Sequence, residues 1–150
     1  MYDPYGAFKV SFINEKMIWK RQEDGMDVKL TLARINKMPM APADKVIGLW
    51  ALTGVKKGNN DITSTFDPSE KQFIFIRPDK RYRLRKSDES IDQGFWHMDA
   101  HKPEFTLINY DRTIENKVFV VSFENNQLQL KPKNDSSMLF IYKRINKFPK

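Results

Sequence analysis

Apolar and polar residues alternate with period two along most of this chain, the pattern of strands that bury one face and wet the other. In its larger part the alternation recurs in eight runs and predicts strands near residues 47–55, 71–77, 81–86, 94–98, 104–110, 117–124, 128–131 and 138–145. Turn chemistry separates them: Lys57-Gly58-Asn59-Asn60-Asp61, Asp67-Pro68-Ser69, Pro78-Asp79-Lys80, Lys102-Pro103, Asn125-Asn126 and Lys133-Asn134-Asp135. Antiparallel strands with such short connections form a meander, and eight of them close into an up-and-down barrel that leaves no sheet edge exposed. No stretch has a convincing helical period. Three further strands are predicted ahead of the barrel, near 8–13, 17–21 and 28–35, with Gly25 in the second turn.

Those leading strands resemble the trailing ones. Residues 10–37 run beside 121–147, sharing Val-Ser-Phe, an Asn two places later, a Lys six further on and the closing Arg-Ile-Asn-Lys; Tyr2-Asp3 also answers Tyr110-Asp111. A self-similarity of this kind sets the architecture. It predicts a partial repeat over 1–37, the tail of one unit, then a linker over 38–45 and a complete barrel over 46–146. The linker rests on Met38-Pro39-Met40-Ala41-Pro42-Ala43, where two prolines break both ladder and helix. Three strands with one apolar face cannot close alone and need a surface. That surface is either the complete unit or another chain, so a homodimer through the N-terminal strands is one expectation.

The complete unit opens with Gly48-Leu49-Trp50 and ends with Tyr142-Lys143-Arg144, and in this it resembles the lipocalin-like members of the calycin superfamily. The resemblance implies that Trp50 lies across the closed end of the barrel beneath Arg144, a cation–π lid with a structural role shared by Gly48. The stretch Gly94-Phe95-Trp96-His97-Met98-Asp99 is similar to the mid-barrel Gly-x-Trp-x-x-Asp element of small bacterial lipocalin-like domains. Two departures are plain: the unit is shorter than a secreted animal lipocalin, and it has no helix before its last strand. Arg34, the counterpart of Arg144, has no Gly-x-Trp partner ahead of it. The resemblance further implies an extracytoplasmic, bacterial, non-catalytic binding module.

Alternation also assigns faces. If Arg81, Arg83 and Arg85 point outward, Tyr82 and Leu84 point inward, and the same reasoning sends Phe73, Phe75, Trp96, Met98, Phe119, Val121, Phe123, Leu128, Leu130, Phe140 and Tyr142 into the interior. Two readings stand side by side. These side chains line a pocket for a small apolar or amphipathic ligand, oriented by Tyr82 and Tyr142, or they fill a barrel whose interior is just wide enough for them.

Charge offers a second kind of partner. The chain carries a formal net charge of +7, and the hairpin 77–86 gathers Arg77, Lys80, Arg81, Arg83, Arg85 and Lys86 around one acid, Asp79. A basic outer face of this kind supports an interaction module that binds a protein, a glycan or another copy of itself. Nucleic acid is disfavoured, because Tyr82 lies on the face opposite the arginines and leaves no aromatic among them. His97 and His101 on an extended strand would be roughly 13 Å apart, too far for one ion. With no cysteine, no phosphate-cradling glycine loop and no nucleophile elbow, no catalytic residue, metal or cofactor is predicted. No apolar run approaches the roughly 20 residues of a transmembrane helix.

Overall fold

The computed structural model describes residues 4–36 and 40–150, and the chain divides into two units, Met1–Pro39 and Met40–Lys150. Tyr2, Asp3 and Lys37 of the repeat, and Met38 and Pro39 of the expected linker, lie outside the described residues.

The first unit is an antiparallel sheet of β1 (Lys9–Ile13), β2 (Lys16–Glu23) and β3 (Met26–Ala33) in that order. Asn14 and Glu15 join the first pair with φ of 47° and 61°. Positive φ at both central residues gives the type I′ turn, whose twist matches that of the strands it connects.

The second unit begins where prolines suggested a linker. Residues Pro42–Val46 form a short helix, α1, because proline is tolerated in the first helical turn, where its missing N–H has no intrahelical partner to lose. There follow β4 (Gly48–Lys57), β5 (Asn60–Asp61), a one-turn helix α2 (Thr63–Phe66), β6 (Phe73–Ile76), β7 (Arg81–Arg85), β8 (Ile91–Met98), β9 (Glu104–Asn109), β10 (Lys117–Glu124), β11 (Gln127–Pro132) and β12 (Met138–Ile145). Each of β6 to β12 pairs with the next, β6 pairs with β4, and β12 returns to β4 from Met138↔Lys57 to Ile145↔Leu49. The result is a closed, eight-stranded, antiparallel up-and-down barrel, with β5 hooked onto the end of β4.

A bulge adjusts the fit. Ile141 pairs with Gly54 and Tyr142 with Leu52, so Thr53 has no opposite number. The inward phase of β4 therefore steps from Trp50 and Leu52 to Val55, all buried, while β12 keeps its own phase. Gly94 marks another close approach: a Cβ there would fall 1.8 Å from the Ile108 carbonyl oxygen on β9. Only glycine lets β8 and β9 come together at this point.

On β6 the structure reverses the expected faces. Ile74 and Ile76, 1% and 0% exposed, belong to the barrel core, so Phe73 and Phe75 point outward. They are covered instead by Phe148, whose ring packs edge-on at 5.2 and 5.6 Å from theirs. Because the carboxy-terminal segment shields the outer face of β6, all four of its residues are apolar and alternation carries no phase.

Candidate functional site

The two ends of the barrel differ. At the end where β4 starts, Trp50 donates its indole N–H to the Val46 carbonyl of α1 at 2.8 Å. The guanidinium of Arg144 lies 4.2 Å from the Trp50 ring centroid and donates to the Ile47 and Lys45 carbonyls at 2.8 and 3.0 Å. Those acceptors are carbonyls at the end of α1, so one cation satisfies groups that a short helix leaves unpaired. Gly48 has φ of +149°, and a Cβ there would meet Arg144 Nη1 at 2.2 Å. The first residue of Gly48-Leu49-Trp50 thus makes room for the guanidinium that covers the third.

Above this lid the barrel is filled. Leu52, Ile74, Ile76, Tyr82, Trp96, Met98, Phe105, Leu107, Val121, Leu128 and Leu130 form one buried cluster with Trp50. The phenol of Tyr82 is pushed up to about 12, chiefly by burial and secondarily by the Asp92 carboxylate, against an opposing hydrogen bond with Asn109. Trp96 hydrogen-bonds to the Arg77 carbonyl at 2.7 Å and carries the Lys80 ammonium 3.9 Å above its ring.

The opposite end is open. A cavity of about 830 Å³ lies there, with Leu84, Phe119, Phe140 and Tyr142 contributed by the barrel wall. Phe66 at the end of α2 closes one side and packs edge-on against Phe140 at 5.3 Å, while Phe119 meets Phe140 at 6.5 Å. The β9–β10 connection supplies Ile114, Glu115 and Asn116, and Lys86, Lys117 and Lys133 stand around the rim. Burial pushes the Tyr142 phenol well above its ordinary range, and the Asp67 carboxylate nearby adds to the effect. Asp67 itself accepts hydrogen bonds from the Ser69 hydroxyl and the Gln72 backbone N–H, both at 3.1 Å, which fixes the segment that follows Phe66.

Asp92 is the unusual residue of this mouth. It lies on β8 in the inward phase of Gly94, Trp96 and Met98 and is only 8% exposed. A buried carboxylate needs partners, and it has two: Lys86 Nζ at 3.0 Å and Lys117 Nζ at 3.3 Å. Two ammonium groups thereby converge on one carboxylate at the edge of an aromatic cavity, whose rim also carries Glu115 and a Lys133 paired with Glu104.

The structure sorts the candidate residues accordingly. Leu84, Phe119, Phe140 and Tyr142 line the open cavity; Tyr82, Trp96, Met98 and Val121 occupy the filled part; Phe73 and Phe75 are outside. Phe123 lies at the lidded end, 37% exposed, with the Lys45 ammonium 6.0 Å from its ring. The basic hairpin is also divided. Arg77 pairs with Asp79 at 2.9 Å, Arg85 with Glu89 at 3.3 Å, and Lys86 turns to the mouth, while Arg81 and Arg83 remain exposed outside. Aromatic residues do neighbour those arginines: Phe95 is the cross-strand partner of Arg81 and packs edge-on against Tyr110 at 5.1 Å. After His97, which is exposed, the chain turns because Asp99 accepts the backbone N–H groups of His101 and Lys102 at 2.7 and 2.9 Å.

Sequence reasoning missed Asp92, Lys117, Phe66 and Ile114. The first had a signal, since continuing the 94–98 alternation back by two residues places a carboxylate inside the barrel. The last two lie in connections, where no periodicity points to them. The chain matches no protein-family model, and a search of curated proteins found no match to it.

Proposed function

We propose that the second unit is a lipocalin-like, non-catalytic binding module that holds a small amphipathic molecule in its open mouth. The observation that carries this reading is the cavity of about 830 Å³ above a filled core, within the roughly 300–1,000 Å³ of small-molecule sites. The apolar body of the ligand rests on Phe66, Phe119 and Phe140, the Tyr142 phenol serves as a neutral hydrogen-bond donor, and Lys86 and Lys117 favour an acidic head group. The lipocalin-like assignment is supported by the closed up-and-down topology and by the contact of Arg144 with Trp50 beside Gly48. An extracytoplasmic location follows from that resemblance and stands or falls with it.

Native mass spectrometry of the protein purified from its own host tests this reading. A discrete extra mass that disappears on denaturation, and is lost from a Leu84→Trp variant that fills the mouth, supports it. A bare mass, together with no change in the fluorescence of an anionic amphipathic dye on titration, refutes it.

A second reading has its own observation. Phe95 and Tyr110 are 47% and 50% exposed on the outer wall beside Arg81, which suits an interaction module for a protein or glycan. Binding that weakens with salt and is lost in Arg81→Glu/Arg83→Glu, but survives Leu84→Trp, selects this alternative over the mouth.

A further inference from the structure

We infer that the three-stranded sheet of the first unit is a self-association surface whose partner is the same sheet of a second copy. The basis is a coincidence of register. Val10 pairs with Trp19 and Phe12 with Met17, as Val121 pairs with Leu130 and Phe123 with Leu128. Met17 then pairs with Leu32 and Trp19 with Leu30, as Leu128 pairs with Tyr142 and Leu130 with Phe140. Even the hairpin turns agree, since Asn125 and Asn126 have φ of 49° and 61°, like Asn14 and Glu15. The sheet β1–β3 is therefore built as a barrel wall, with one face meant for an interior.

Burial is where the two differ. In the barrel Val121 and Tyr142 are both 6% exposed and Leu130 is 1%. At the matching positions of the first sheet Val10 is 52% and Leu32 43% exposed; Leu30 is 43% exposed where Phe140 is half-buried, Phe12 is 72% exposed where Phe123 is 37%, and Trp19, the counterpart of Leu130, is half-buried. One end of this face is already occupied by its own chain, for Phe8 packs on Trp19 at 5.4 Å and the Arg21 guanidinium lies 4.1 Å from the Phe8 ring. Arg21 is also paired to Glu23 on the same face, so within the three strands the uncovered remainder is apolar and neutral, with the exposed Arg34 just beyond β3 in the same phase. The opposite face presents Lys9, Lys16, Lys20 and Lys29 to water around a buried Ile18, with Ile13 exposed at its edge.

A second copy fits these features better than any charged partner. Neutral apolar faces are self-complementary, and pairing them leaves both lysine faces in solvent. The outer edges of β1 and β3 pair with no other strand among the described residues. A two-fold axis perpendicular to the strands sets β1 antiparallel to its own copy and β3 antiparallel to its own copy, closing six strands without a parallel pair. By strand geometry the face measures only about 26 by 14 Å, less than the roughly 800 Å² per partner of a standard interface. The association is accordingly weak and concentration-dependent.

Sedimentation velocity of the complete chain from low micromolar to several hundred micromolar tests the inference. The expected result is a reversible monomer–dimer equilibrium, weakened roughly 30-fold or more by Phe12→Asp or Leu30→Asp and unchanged by Lys20→Glu on the opposite face. Hydrogen exchange on the unaltered protein guards against variants that merely unfold the sheet: amides of β1 and β3 gain protection as concentration rises, while those of the barrel do not. A monomer at every concentration, a dimer indifferent to both aspartates, or protection of β1 and β3 that ignores concentration overturns it.

Discussion

The lid at the closed end makes a quantitative prediction because two residues far apart in the sequence, Gly48 and Arg144, occupy one space. Removing the arginine side chain in Arg144→Ala deletes two charge-assisted hydrogen bonds to the Ile47 and Lys45 carbonyls and the contact over Trp50. Discounted for the exposure of Arg144, these sum to about 2–3 kcal/mol. Gly48→Ala places a methyl 2.2 Å from Arg144 Nη1 and forces an alanine to φ of +149°. Expelling the guanidinium forfeits its roughly 2–3 kcal/mol, and the backbone strain adds about 1–3 kcal/mol. In the Arg144→Ala background only the strain remains. The two changes are therefore sub-additive: the double variant is destabilised by about 3–6 kcal/mol, and the coupling is about 2–3 kcal/mol. Urea unfolding of the four proteins, followed by hydrogen exchange of the β4 and β12 amides, measures the cycle. Additivity within about 0.5 kcal/mol would mean that the guanidinium does not rest against Gly48, and the account of the lid would fail.

Other outcomes follow from the same geometry. Gly94→Ala should prevent the barrel from accumulating, since the obstructing atom is the Ile108 carbonyl oxygen at 1.8 Å and backbone cannot swing aside; Gly58→Ala, with open space around it at φ of 59°, should cost about 1 kcal/mol, and equal stabilities for the two would contradict the β8–β9 packing. With the Tyr82 phenol raised to about 12, the unfolded chain gives up a proton from about pH 10 that the barrel keeps, so stability falls as pH climbs from about 10 to about 12 and levels beyond it. Tyr82→Phe should flatten that decline, leaving the part due to Tyr142, and an unaltered slope in alkaline denaturation would exclude the mechanism. Asp92→Asn should release Lys86 and Lys117, lowering thermal stability while tightening capture of an anionic amphipathic dye; weaker capture by a folded variant would move the head group elsewhere.

How far the sequence exposed this design depends on whether each strand has one wet face. Where it does, as in β8 with Gln93, Phe95 and His97 outside and Asp92, Gly94, Trp96 and Met98 inside, alternation gives the phase directly, and all eight barrel strands fall close to their expected spans. Phase was lost on β6, where Phe148 buries the outer side as well, and along β4, where the unpaired Thr53 shifts inward positions from even to odd numbers. Alternation also reads one strand at a time. Tyr82 behind the arginines suggested an outer face bare of aromatics, but Phe95 reaches the side of Arg81 across a strand boundary, and only pairing register reveals such a neighbour.

The same distinction explains why a lid was legible and a mouth was not. The lid is made by residues near the two ends of the barrel sequence, Gly48, Trp50 and Arg144, whose spacing any closed meander must bring together when its last strand returns to its first. The mouth depends on chain that is not periodic: Phe66 ends a one-turn helix, Ile114 sits in a connection, and Lys117 meets Asp92 across β9. A barrel can therefore keep its closed end and core while the connections at the other end change shape and charge. Under the proposed binding role, selectivity at the mouth should accordingly respond to substitutions in residues 114–117 that leave unfolding free energy nearly untouched, whereas changes at the lid should alter stability and leave that selectivity as it was.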